Sequence, residues 1–258
     1  MKYTVLTLFP EIIDAYFRSS IMAKALERGL IEYQAINIRN YAVDKHRSCD
    51  DLPYGGGPGM LMLAEPLSRA LEAAGAAEKR VIYLSPSGQP FNQALARNLA
   101  AEKELILLCG RYEGIDQRII DSYVDDEISV GDYVLSSGEV AALNLIDASY
   151  RLVEQVITPA SLMEESFELG LLEYPQYTRP EIFDTMRVPE VLLSGHHENI
   201  RRWRLEKRVE KTLALRPDLI RLGEERGLFD DETRKIIEEK AAVWQSQKAA
   251  ARGKDERN

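Results

Sequence analysis

Short apolar runs, each closed by glycine or a Pro-Ser-Gly turn, recur along this chain and alternate with segments of helical period. Val81 to Ser85 (VIYLS) leads into Pro86-Ser87-Gly88, Glu104 to Cys109 (ELILLC) into Gly110, and Asp126 to Val130 (DEISV) into Gly131. Runs this short and this continuously apolar suit strands buried on both faces. Strands alternating with helices predict an α/β fold, a mostly parallel sheet with helices on both faces. In such a sheet the loops after the strands share the carboxyl edge, where ligands dock, and glycine there lets backbone groups approach a ligand closely. A fourth glycine cluster, PYGGGPGMLM, spans Pro53 to Met62. Each segment alone reads equally well as a tight turn; four together point to a pocket.

The remaining elements fit the same alternation. Tyr3 to Phe9 reads as the first strand, and Glu11 to Arg28 as a helix that Gly29 stops. Leu30 to Ile38 is a second strand, Arg39 to Pro58 a long polar loop, and Glu65 to Ala74 and Asn92 to Lys103 are helices. Gly138 to Val156 is an amphipathic helix. After it the pattern loses its period, which predicts a linker over 157–168 between a first domain, 1–156, and a small helical domain, 169–258. The latter carries charged helices over 198–215, 217–226 and 230–248, with frayed residues at the end.

Composition excludes several classes. The 33 basic and 42 acidic residues give a formal net charge of -9, so a globally basic nucleic-acid binder is excluded and any polyanion must meet a local patch. The glycine cluster lacks the Gly-Lys-Ser/Thr ending of a P-loop, and no G-x-G-x-x-G follows the first strand. Three scattered histidines and two unpaired cysteines do not space as a zinc site, so no metal ligands are assigned. With no signal peptide and no apolar run of membrane length, the expectation is a cytoplasmic protein without a membrane partner. A basic patch is found at IRRWRLEKR, where Arg201, Arg202 and Arg204 flank Trp203. Such residues grip phosphates without reading sequence, and they read as readily as a solvated helix face.

Five segments, DKHRSCDDLPYGGGPGM, LCGRYEGID, SVGDYVLSSGE, LLEYPQYTRP and VPEVLLSGHH followed by IRRWR, occur in order and cover nearly the whole chain. Together they resemble the signature blocks of the bacterial tRNA (guanine-N1)-methyltransferases of the SPOUT superfamily. The resemblance implies a deep trefoil knot, which the usual topology rules would argue against. It also implies S-adenosylmethionine as methyl donor, tRNA as partner, methylation of N1 of guanosine 37 when the preceding nucleotide is also guanosine, and an obligate homodimer whose active sites draw on both chains. A dependence on Mg2+ is compatible with it, without a recognisable protein site.

By position, the resemblance places Tyr83, Leu84, Ser85 and Pro86 on one wall of a cofactor site, Gly110 and Tyr112 on a second, and Val130, Gly131, Asp132, Tyr133, Val134, Leu135 and Gly138 on a third. His46, Arg47, Tyr54, Gly55, Gly56, Gly57 and Gly59 match the region that meets the target guanine and nearby tRNA. Glu113 and Asp116 are assigned to the guanine edge or the partner chain, or else to capping the helix after Gly114. Guanine N1 must lose a proton, and charge then builds toward O6, so the chemistry needs a base and a cation. Arg151 matches the cation. The base in the family is an aspartate in the linker, and here Glu165 stands in its place with Glu164 as its solvent-facing neighbour. Ser137 likewise replaces a glycine, which asks whether a left-handed backbone is needed there. Two other classes stay open: a knotted methyltransferase with another RNA target, and a nucleic-acid-binding module without turnover.

Overall fold

A computed structural model describes residues 1–158, 161 and 165–255, and the side chains of 245 and 247–255 fall outside that description. The contacts divide the chain into two compact units, Met1–Thr158 and Pro159–Asn258.

The first unit is built on five parallel strands: β1 (Lys2–Thr7), β2 (Glu32–Asn37), β5 (Arg80–Pro90), β6 (Glu104–Cys109) and β7 (Asp126–Ser129), in the order β2-β1-β6-β5-β7. Two intervening two-residue strands form an antiparallel ribbon: β3 (Asp50–Asp51) lies inside the expected loop Arg39 to Pro58, and β4 (Leu61–Met62) at the end of the glycine cluster Pro53 to Met62. Two residues per strand are too few to carry an alternation, so no sequence pattern marks them.

Residues alternate along each strand between two cores. Leu105, Leu107 and Cys109 join Tyr3, Val5, Ile82 and Leu84 on one face, covered by α1 (Pro10–Phe17), α2 (Ser20–Glu27), α4 (Gln93–Ala100) and α6 (Gly138–Tyr150). Ile106 and Leu108 join Leu6, Val81 and Tyr83 on the other, beneath α3 (Ala64–Ala74) and α5 (Gln117–Tyr123). Burial on both faces is why ELILLC shows no polar alternation.

Three expectations need correction. The single helix over Glu11 to Arg28 is two helices, because Ser19 is extended and Ser20 sits at φ 55, a break the apolar period runs straight through. The strand expected to end at Ser85 resumes past its turn: Leu84 and Gln89 both pair with Ile128, so Ser85-Pro86-Ser87-Gly88 bulges out while β5 stays on β7. A Cβ on Gly88 would lie 2.4 Å from the Glu127 carbonyl carbon, so glycine serves close approach there. The helix expected to reach Val156 stops at Tyr150 and continues as turns.

The second unit contains the ribbon β8 (Ile182–Phe183) and β9 (Met186–Arg187), α7 (Glu190–Leu193), α8 (His197–Leu215), α9 (Pro217–Glu225) and α10 (Asp231–Asp255). Its core is Leu171, Val209, Leu213, Ile220, Phe229, Ile236 and Ile237. The backbone is helical through Asp255, longer than the expected end near Lys248. Of the expected linker, 159–160 and 162–164, and with them Glu164, lie outside the described residues.

Candidate active site

Parallel pairing puts the ends of β5, β6 and β7 side by side, and their loops close around one cavity. Of the expected cofactor residues, Tyr83, Leu84, Ser85, Pro86, Gly110, Tyr112, Val130, Gly131, Tyr133, Val134, Leu135 and Gly138 all line it; Asp132 does not. Arg111, Glu113, Gly114, Ile128, Ser129, Ser136, Ser137 and Ala141 complete the lining. Most of these positions belong to the same loops, so the strand-end signal reached them without separating one neighbour from the next; Ile128 and Ser129 end β7, and Ala141 lies in the first turn of α6.

Close backbone packing shapes the cavity. Gly138 N–H donates to the Gly110 carbonyl at 2.9 Å, and a Cβ on Gly138 would fall 2.6 Å from Gly110 N and 2.8 Å from Cys109 Cα. Ser137, beside it, is extended at φ -163 and buried. An extended backbone suits any residue, so the serine at a glycine position carries no strain. Tyr83 packs its ring beneath Gly110, where a Cβ would approach the ring carbon at 3.0 Å. Burial foremost, then the Glu127 charge, pushes the Tyr83 phenol above its ordinary value. Tyr112 is held at φ 59, a left-handed conformation unusual for a bulky side chain. Its phenol is raised chiefly by desolvation and then by Asp50, with Arg39 opposing.

The glycine loop docks on this cavity through backbone pairing. Glu113 N–H donates to Met60 O at 3.0 Å, Met62 N–H to Gly114 O at 3.0 Å, and Asp116 N–H to Met62 O at 3.2 Å. Gly55, Gly56, Gly57 and Gly59 all have positive φ, from 77 to 124. The first three face open space, so conformation alone demands glycine there. Gly59 has a second reason: a Cβ would lie 2.4 Å from Glu113 Cγ. Upstream, the Asp44 carboxylate accepts the backbone N–H of His46 at 2.8 Å and of Ser48 at 2.7 Å, which shapes the turn presenting exposed His46 and Arg47. Tyr54 is fully exposed at the loop tip.

Other expected site residues are committed elsewhere in the fold. Asp116 caps α5, accepting Arg118 N–H at 3.0 Å, and pairs with the Arg118 guanidinium at 2.6 Å, which holds its carboxyl below the usual range. The capping alternative is thus the role its geometry displays. Arg151 closes the C-terminal end of α6. That helix runs back along β1, with Glu139 beside Thr7 and Ser149 beside Tyr3, so Arg151 lies at the amino edge of the sheet while the cavity occupies the carboxyl edge.

In the second unit, α8 is more self-neutralised than its sequence suggests. Arg201 pairs with Glu198 at 2.6 Å and Glu232 at 2.8 Å, Arg202 with Glu206 at 3.1 Å, and the Arg204 guanidinium sits 4.8 Å from the Tyr174 ring centroid. Lys207 and Lys240 both bind Glu210, at 2.6 Å each. Trp203, which those arginines flank, is half-buried near Tyr177. Glu165 is half-buried in this unit.

Fold and cavity together define a parallel α/β protein whose ligand site is made of strand-end loops with a largely neutral lining. Residues 1–222 match the family described as tRNA (Guanine-1)-methyltransferase TrmD. The chain is 63% identical to the tRNA (guanine-N(1)-)-methyltransferase of Treponema denticola over 239 residues, 93% of this chain and 98% of that protein. It is 56% identical to the protein of the same name from Treponema pallidum over 239 residues, 93% and 96% of the two chains. It is 59% identical to that of Borreliella burgdorferi over 221 residues, 85% and 92%. The chain belongs to the TrmD family of tRNA (guanine-N1)-methyltransferases, a SPOUT family of enzymes.

Proposed function

We propose that this protein transfers a methyl group from S-adenosylmethionine to N1 of guanosine 37 in tRNA. The observation that carries the reading is the convergence of three strand-end loops on one cavity, with the glycine loop hydrogen-bonded to its rim. The residues present fit the cofactor: backbone donors and acceptors of 84–86, 110 and 130–138 can address an adenine, and the lining has few charges. The cavity measures about 210 Å³, below the roughly 300 to 1,000 Å³ of clefts that enclose a whole ligand of this size. A cavity of this size would hold part of the cofactor, with the loops of 84–86, 110 and 130–138 against it.

When bound, the cofactor supplies an already activated methyl group, so alignment and proton removal fall to the protein. Glu165 is the base in this reading and Arg151 the cation that stabilises charge on O6. The remoteness of Arg151 from its own cavity supports a homodimer in which each chain completes the other's site. The trefoil knot of the family belongs to the same reading. Unstacking the target base costs less in an anticodon loop than in a duplex.

Among the described residues no cluster of three or more His, Cys, Asp or Glu could hold a metal ion, and no helix is long and apolar enough to cross a membrane. We place the protein in the cytoplasm, where tRNA substrates are found, and treat any Mg2+ requirement as one met without a protein-built site.

Transfer of labelled methyl to a tRNA transcript carrying guanosines at 36 and 37 tests the reading, beside a transcript with adenosine at 37. Label on the first alone is expected. Label on both would redirect the activity to another target, and label on neither would leave a binding protein.

A further inference from the structure

Glu139 is the second residue of α6, directly after the glycine that lines the cavity, yet its side chain turns inward. It is 1% exposed. One carboxylate oxygen accepts the Thr7 hydroxyl at 2.5 Å, and among the described residues the other oxygen is buried with no hydrogen-bond partner. A half-satisfied buried carboxylate is costly, and an apolar side chain of similar size would serve the core at least as well. Stability therefore does not account for this residue, and its contacts do.

Those contacts lead to the cavity by another route. The Thr7 hydroxyl that donates to Glu139 also accepts Phe9 N–H at 2.9 Å, and so sets the turn from β1 into α1. The Phe9 ring placed by that turn carries the Arg111 guanidinium 4.9 Å from its centroid. Arg111 lines the cavity, and among the described residues its guanidinium has this ring and no carboxylate for a partner. An arginine kept at a pocket by an aromatic seat, without a counter-charge, is free to meet an anion.

We propose that Glu139 is a positioning residue that, through Thr7 and Phe9, holds Arg111 toward an anionic group of the bound ligands. The inference rests on the methyl-transfer reading above. Two groups have that chemistry: the carboxylate of the cofactor's amino-acid arm and a phosphate of the RNA. The Glu139 carboxylate reaches the Thr7 hydroxyl from the first turn of α6, and that hydroxyl in turn holds Phe9 N–H.

The test uses the full chain in three forms: parent, Thr7→Ser, and the double variant Thr7→Val/Glu139→Met, which replaces the pair by apolar groups of similar size and keeps the core packed. Binding is measured for S-adenosylhomocysteine, for 5′-methylthioadenosine, which lacks the amino-acid arm, and for a tRNA transcript at several salt concentrations, beside the thermal midpoint. The double variant is expected to keep its midpoint. If the anion is the cofactor carboxylate, it binds S-adenosylhomocysteine about tenfold more weakly, the loss of one charge-assisted contact, and methylthioadenosine as before. If the anion is a phosphate, the transcript weakens instead and the slope of log affinity against log salt becomes shallower by about one. Thr7→Ser, which keeps the hydroxyl, binds all three ligands like the parent. The proposal is overturned if the double variant binds every ligand like the parent, if Thr7→Ser is as impaired as the double variant, or if the midpoint falls and all ligands weaken alike. A parent that binds neither S-adenosylhomocysteine nor the transcript would instead sink the methyl-transfer reading, and the relay with it.

Discussion

Gly138 and Arg151 stand at opposite ends of one helix of 13 residues, about 20 Å apart at the α-helical rise, with Gly138 against the cavity loop and Arg151 at the far edge of the sheet. An arginine side chain does not span that distance. If Arg151 acts on the reacting base, it acts in a cavity belonging to another copy.

Subunit complementation follows. Assayed at limiting cofactor, Arg151→Ala and Gly138→Ala should each lose most activity alone, the first for want of the cation and the second for want of bound cofactor. Mixed in equal amounts under conditions that exchange subunits, they should recover about one quarter of parental activity, because half the dimers are mixed and each of those has one intact site. Methyl transfer no greater than the sum of the two separate variants would remove Arg151 from a shared site.

The two neighbouring positions at the start of α6 should differ in their response to substitution. Gly138→Ala forces a Cβ to 2.6 Å from Gly110 N, so affinity for S-adenosylhomocysteine should fall at least tenfold, with about 1 to 3 kcal/mol of stability lost to overpacking. Ser137→Gly, at an extended residue, should leave affinity unchanged and lower stability by at most about 1 kcal/mol through added chain entropy. Calorimetric titration and thermal melts of both variants decide the point; equal affinities would show that the Gly110–Gly138 contact does not shape the cavity.

Acid should weaken the first unit through Glu104. Burial opposes ionisation of this carboxyl, but hydrogen bonds from Lys79, Lys2 and Thr4 outweigh it and hold the group below its ordinary 4.5. A depressed folded value means the stabilisation is complete above the unfolded value and is lost as pH falls through the folded one. The thermal midpoint should therefore decline below about pH 4.5, and Glu104→Gln should lower it at pH 7 and flatten that decline. Parallel pH profiles for the two proteins would assign the acid loss to other groups.

Arg201 meets a phosphate in competition with Glu198 and Glu232, which already hold its Nε and Nη2. Glu232→Gln should thus tighten tRNA binding and steepen its salt dependence, whereas Arg201→Ala should weaken it and reduce the slope by about one. Filter binding across a salt series would show this; identical slopes for all three proteins would leave α8 as a solvated, internally paired helix.

Local sequence went furthest where burial is two-sided and turns are short. β6 occupies the residues of its apolar run, Gly29 ends a helix as expected, and Asp116 begins one by the capping that was its alternative reading. It went wrong where tertiary contacts override a local signal. Pro86-Ser87-Gly88 has the composition of a terminal turn, but β7 recaptures the chain at Gln89; the polar pair Ser19-Ser20 breaks a helix whose apolar spacing continues unbroken; and β3 finds its partner β4 ten to twelve residues on, across the glycine loop. The apparent basic patch on α8 is an instance of the same limit, since Glu232 lies 31 residues beyond the arginine it neutralises.

What the sequence determined by itself is the kind of surface each loop can present: bare backbone at 55–57, 59, 110 and 131, because positive φ at 55–57, 59 and 131 and the Tyr83 ring against 110 favour glycine, and a run of cations along one helix. Only the tertiary structure decided which of these surfaces meet. Parallel pairing brought the ends of β5, β6 and β7 to one edge, backbone bonds from 60–62 fastened the glycine loop beside them, and the length of α6 carried Arg151 to the opposite edge. Those are relations between segments far apart in the chain, set by register and rise, and no local pattern encodes them.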